Sequence, residues 1–125
     1  MTGFRTRSNV SEVLALTASA TLTNDDLGKI VTNRGASGAV TITLPTPSGD
    51  NAGGEVRVMV VADQNVTVNC STNDKIVIFN DAAADSVAWS TSGEKIGAGG
   101  DFVSDGTNWF FRAQNAGANT VTTAT

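Results

Sequence analysis

The chain has no histidine and no tyrosine, one cysteine, two prolines, and only two tryptophans and five phenylalanines in 125 residues. Without histidine it lacks the commonest general base and the commonest metal ligand, and Ser-His and Cys-His nucleophile pairs are excluded. A lone cysteine, Cys70, cannot form an internal disulfide, so the fold must stand on packing or on association. In "NVTVNC" it shares a strand face with Val66 and Val68 and reads as a small buried hydrophobe. Charge is scarce as well, at 16% against about a quarter in an ordinary globular chain. Eight basic and twelve acidic residues leave a net charge of −4. That balance gives no counterion-release drive toward a phosphate backbone, so nucleic acid is not an expected partner. No apolar run is long enough to cross a bilayer, and Ser11 and Glu12 interrupt any secretory apolar region after Arg5 and Arg7. The expectation is a soluble chain with no membrane partner.

What the sequence does contain is apolar residues at period two, punctuated by turn residues every ten or so positions, the pattern of a sandwich or barrel. In "GAVTITLP", Val40, Ile42 and Leu44 face one way and Thr41 and Thr43 the other, until Pro45 removes a ladder donor. "EVRVMVVA" repeats the alternation with Val56, Val58 and Val60. "TNDDLGK" reads as a single capped helical turn, with acids in its first turn and Gly28 as its stop. Asp105-Gly106 predicts a two-residue hairpin between "DFVS" and "TNWFF". The fold expected is all-β: a small antiparallel sandwich or barrel-like domain with extended termini. Residues 1–18 form an N-terminal arm or first strand, 19–113 the β-domain, and 114–125 an extended C-terminal tail.

"KIVIF" is apolar on both faces, with Ile76 and Ile78 on one and Val77 and Phe79 on the other. A strand apolar on both faces must be covered on both, and in a thin sandwich a second subunit is the economical cover. In "TNWFFR", alternation places Trp109 and Phe111 in the core and turns Phe110 and Arg112 outward. An aromatic beside an arginine suits a protein interface and can also stack on a sugar. The basic pair Arg5 and Arg7 is either a solvated arm or an arm lying on an acidic partner. The candidate interface residues are therefore Arg5, Arg7, Val77, Phe79, Phe110 and Arg112. Paired carboxylates are the remaining enzymatic option, at Asp25 and Asp26, Asp81 and Asp85, or Asp101 and Asp105. Each sits where aspartate is favoured for turn hydrogen bonding alone. No catalytic, cofactor or metal site is expected.

Two stretches, "LTNDDLGKIVTNRGASGAVTITLPTP" and "GGDFVSDGTNWFFRAQNAGA", resemble a small β-module of tailed-bacteriophage structural proteins. In that family a Thr- and Asp-rich turn and Gly-Lys lead into Gly-Ala-x-Gly-Ala-Val-Thr-x-Thr-Leu-Pro, and a Ser-Asp-Gly-Thr-Asn-Trp hairpin closes the module. The motifs bracket Thr21 to Ala118 and occur in capsid decoration (cement) proteins, tail fibres and tailspikes. The resemblance implies a virion component, usually trimeric and assembled in the bacterial host cytoplasm. A free-standing chain of this length is most similar to a cement protein on the outer capsid surface, whose partner is the major capsid protein. The alternative is a tail-fibre or receptor-binding module that recognises bacterial surface glycan. The "FF" after Trp109 departs from the family pattern, where a mixed strand is expected.

Overall fold

A computed structural model of the protein describes residues 10–114 and 119–125. In the first half the strands are β1 (Val13–Ala15), β2 (Ala20–Thr21), β3 (Ile30–Thr32), β4 (Val40–Leu44), β5 (Glu55–Met59) and β6 (Val66–Cys70). They are followed by β7 (Ile76–Ile78), β8 (Asp81–Ala84), β9 (Ser86–Trp89), β10 (Gly99–Ser104), β11 (Trp109–Ala113) and β12 (Thr122–Ala124). They form a seven-stranded sheet, β1-β3-β5-β10-β11-β7-β8, and a five-stranded sheet, β12-β9-β6-β4-β2, packed as an all-β sandwich.

The expected sandwich is present, but both sheets are mixed rather than antiparallel. From β1 to β6 the chain alternates between the layers, so β1, β3 and β5 pair in parallel in the larger sheet and β2, β4 and β6 in the smaller. Parallel neighbours need a crossover connection, and here a strand of the opposite sheet supplies it in place of a helix. Antiparallel pairing enters with β7–β8 in the larger sheet and β6–β9 in the smaller, and the β10–β11 hairpin joins β5 to β7 across the middle of the larger sheet.

Strand alternation decides the burial. Val40, Ile42 and Leu44 are buried while Thr41 and Thr43 are half-covered, and β5, β6 and β11 repeat the pattern. The outer face of the smaller sheet consequently carries rows of hydroxyls and amides, Thr21–Thr43–Asn69–Ser86 and Thr41–Thr67. The core between the sheets is anchored by Trp89, Trp109 and Phe102, all fully buried. Large apolar side chains of this kind stabilise a fold by roughly 2–3 kcal/mol each. Phe111 ties the layers together, 5.7 Å from Trp89 at an edge-to-face angle of 62° and 4.7 Å from Phe102. Cys70 is buried near the core's edge, and burial pushes its thiol pKa up.

The capped turn is a 3₁₀ helix over Asn24–Asp26, with Thr23 as N-cap and a complete capping box to Asp26. Gly28 follows with φ +88°, a left-handed conformation that favours glycine. At the other end, the C-terminal segment supplies β12, an edge strand on β9. Asn119 and Thr120 anchor it to Glu94 through the backbone carbonyl and the carboxylate respectively. No helix among the described residues is long and apolar enough to cross a membrane.

Candidate interaction surface

The outward face of the larger sheet is built by β5, β10, β11 and β7. The β10–β11 register pairs Val103 with Phe110 and Asp101 with Arg112. β5 adds Glu55 opposite Val103 and Arg57 opposite Asp101, and β7 sets Val77 beside Phe110. Two adjacent rows result: Glu55–Val103–Phe110–Val77, and Arg57–Asp101–Arg112.

Phe110 is 47% exposed on this face, although its chain neighbours Trp109 and Phe111 are buried. Beside it lies a shallow groove of about 460 Å³ lined by Val103, Asp105, Phe110, Phe111 and Arg112. On the core side of the same sheet Phe111 packs against Gly100, where a Cβ would collide with that ring and with the Arg112 carbonyl.

Asp101 organises the second row. Its side chain is only 10% exposed and accepts a 3.0 Å hydrogen bond from Arg57 Nε, while Arg112 approaches its other oxygen at 3.8 Å. Arg57 also lies 4.0 Å from Glu55. Contact with Asp101 raises the Arg57 pKa still further, so that group stays charged at all working pH values. Arg112 is the looser member, with its side chain 77% exposed. Its guanidinium stands in solvent on the same outward face as Phe110.

The structure thus brings three of the expected interface residues together, Phe110, Arg112 and a half-buried Val77. Phe79 lies beyond the end of β7, because the strand stops at Ile78. Phe79 and Asn80 form the two-residue turn into β8, with φ values of +51° and +64°. Phe79 is 65% exposed there. Arg5 and Arg7 lie outside the described residues. Sequence reasoning missed Glu55, Arg57 and Met59 as members of this face, although Arg57 and Met59 alternate visibly with Val56 and Val58. Asp101, one of the carboxylates weighed in the sequence and not expected to be catalytic, holds Arg57 in place.

Four of the other carboxylate candidates, Asp26, Asp81, Asp85 and Asp105, accept hydrogen bonds from backbone amides. Asp26 accepts from the Thr23 amide and from Lys29 Nζ at 2.8 Å. Asp81 accepts from the Ala83 amide and Asp85 from the Asp74 amide, each at 2.8 Å. Asp105 accepts from the Thr107 and Asn108 amides at 2.9 and 2.8 Å, and these bonds hold its carboxyl below the usual carboxylate range. Among the described residues, no three cysteine, aspartate or glutamate side chains converge into a group that could hold a metal ion. No known protein family matches the chain, and no curated protein does.

Proposed function

We propose that this chain is a non-enzymatic structural protein of a tailed-bacteriophage virion, a cement protein that binds the outer capsid surface and bridges major capsid proteins. One observation carries the reading: a solvent-facing row of Val103, Phe110 and Val77 with an arginine beside it, on the outside of a sheet whose inner face already has its core. Aromatic and arginine side chains are the residues enriched at protein interfaces, and lysine and acids are depleted there. Proteins of this kind act by surface contact, and the resemblance of "GASGAVTITLP" and "SDGTNW" to phage structural modules supplies the class of partner.

The test is add-back. Shells of the source phage that lack the chain are incubated with purified protein, and occupancy and thermal rupture are measured. Many copies per head and a raised rupture temperature are the expected results. Phe110→Ala should weaken binding by about 1–3 kcal/mol, the usual cost of truncating an interface anchor. Failure to bind shells, with a few copies found at the tail, would overturn the cement reading in favour of receptor binding.

A further inference from the structure

A second apolar trough lies on the outward face of the larger sheet, at the opposite end of β5 from Glu55, and a glycine bulge makes it. Past Met59 the β5–β10 ladder runs on irregularly: Val60 donates to the Ala98 carbonyl at 2.9 Å and accepts from the Gly97 amide at 2.8 Å. One residue thus faces two, which is a β-bulge, and Gly97 takes its left-handed position at φ +91°. Opposite Met59 stands Gly99, where a Cβ would collide with the Val58 carbonyl oxygen. Two positions that would carry side chains are therefore bare. A trough of about 310 Å³ opens over them, lined by Met59, Val61, Ile96 and Gln114. Met59 is 41% exposed there and Ile96 62%.

The trough carries one charge. Arg34 is exposed and lines it, and the residue before it, Asn33, is buried. Asn33 Oδ1 accepts from the Val61 and Ala62 amides at 2.8 and 2.9 Å, and its Nδ2 donates to the Ala62 carbonyl at 3.1 Å. Those bonds fix the chain on both sides of the trough without engaging the Arg34 guanidinium. Lys29, Arg57, Lys95 and Arg112 each meet a carboxylate, whereas Arg34 meets none among the described residues. None of the described residues lining the trough is acidic. An apolar recess with an uncompensated guanidinium is complementary to a segment that carries an apolar side chain beside a carboxylate.

We infer that this trough is a second capsid contact, which takes an extended acidic and apolar segment of the major capsid protein, its carboxylate on Arg34 and its apolar side chain against Met59 and Ile96. The identity of the partner rests on the cement reading; the chemistry of the site does not. Bridging needs two contacts on one chain, and the Phe110 groove supplies one of them. Two strands across and four residues along separate Met59 from Phe110, roughly 15 Å, with the charged row Arg57–Asp101–Arg112 between them. Both recesses open on the same outward face. One chain can therefore lie across a junction between two capsid subunits, with Phe110 on one and Met59 on the other. Linked contacts of this kind raise avidity beyond either alone.

Met1 and Met59 are the only methionines, so isotope labelling of methionine methyl groups in the full chain places one of two reporters in the trough. The probe is the peptide acetyl-Leu-Asp-Leu-Asp-amide, with acetyl-Leu-Lys-Leu-Lys-amide as control. The acidic peptide should shift the Met59 methyl resonance with a Kd of about 1 mM, and Arg34→Glu should weaken that binding about tenfold or more. Thermal melts check that the variant is folded. On shells, Arg34→Glu chains should still bind through Phe110 but no longer raise the rupture temperature. No shift up to about 10 mM peptide, or an equal shift with the lysine peptide or in the variant, overturns the site. Shells bound and stabilised by Arg34→Glu as well as by wild type overturn its place as a capsid contact. If the acidic peptide binds while the wild-type chain binds no shell, the cement reading fails and the trough stands as a site for acidic segments of another protein.

Discussion

Phe79 and Asn80 form the tip between β7 and β8, both with positive φ, which is the backbone of a type I′ turn. Asn80 suits that conformation, because its short polar side chain tolerates the left-handed region. Phe79 does not, since its Cβ is crowded against the following carbonyl. A bulky residue held in this region costs on the order of 1 kcal/mol. Replacing it with asparagine keeps the turn and removes most of that cost. Phe79→Asn should therefore raise stability by about 0.5–1 kcal/mol, read as a higher midpoint in urea. An unchanged or lower midpoint would show that Phe79 stabilises the isolated chain through contacts that offset its strain.

The turns between strands are where acid should act first. Asp26 closes the 3₁₀ capping box, and its bond to Lys29 holds its carboxyl below the ordinary aspartate range. Asp105 is depressed by the Asn108 and Thr107 amides at the tip of the β10–β11 hairpin. A carboxylate with a lowered folded pKa contributes stability above its unfolded value, near about 3.9, and loses it as pH falls through the folded value. Lys29 is raised by the same partnership, so its contribution is full below its unfolded pKa and fades only in strong alkali. Melting temperature should hold between about pH 6 and pH 5 and fall below about pH 4. Asp26→Asn should flatten part of that fall and lower the neutral-pH melting temperature through the lost cap. An equally steep acid fall in the variant would remove Asp26 from the cause. These turns also mark the limit of what residue pattern conveys. Period-two alternation places Val40, Ile42, Leu44, Trp109 and Phe111 in the core and Phe110 outside, because side-chain direction depends only on position along the strand. It carries no information on which strand lies next door, so the parallel β2-β4-β6 and β1-β3-β5 pairings were not legible. Asp105-Gly106 signalled a hairpin correctly, but its loop has four residues. Ser104 pairs with Trp109, and Asp105 uses its carboxylate to gather the next amides rather than making a two-residue turn.

The two sheets of the sandwich are clasped by two fully buried tryptophans that do different work. Trp109, in the larger sheet, donates from Nε1 to the Pro45 carbonyl at 2.8 Å, just past the end of β4 in the smaller sheet. Trp89, in the smaller sheet, reaches the other way to stack edge-on against Phe111, and its Nε1 is buried with no hydrogen-bond partner among the described residues. Changing either to phenylalanine removes similar apolar volume and leaves a similar void. The polar consequences are opposite. Trp109→Phe deletes the bond that joins the layers and leaves the Pro45 carbonyl with only a long 3.6 Å contact from the Cys70 thiol. Trp89→Phe deletes a donor whose desolvation is uncompensated. Trp109→Phe should therefore destabilise the protein by about 1–2 kcal/mol more than Trp89→Phe. Each variant retains a single tryptophan, so urea unfolding followed by fluorescence reports from one sheet at a time. A lower midpoint for Trp109→Phe than for Trp89→Phe would mean that the Trp109–Pro45 bond contributes to the union of the layers. Equal midpoints would assign the clasp to apolar packing alone.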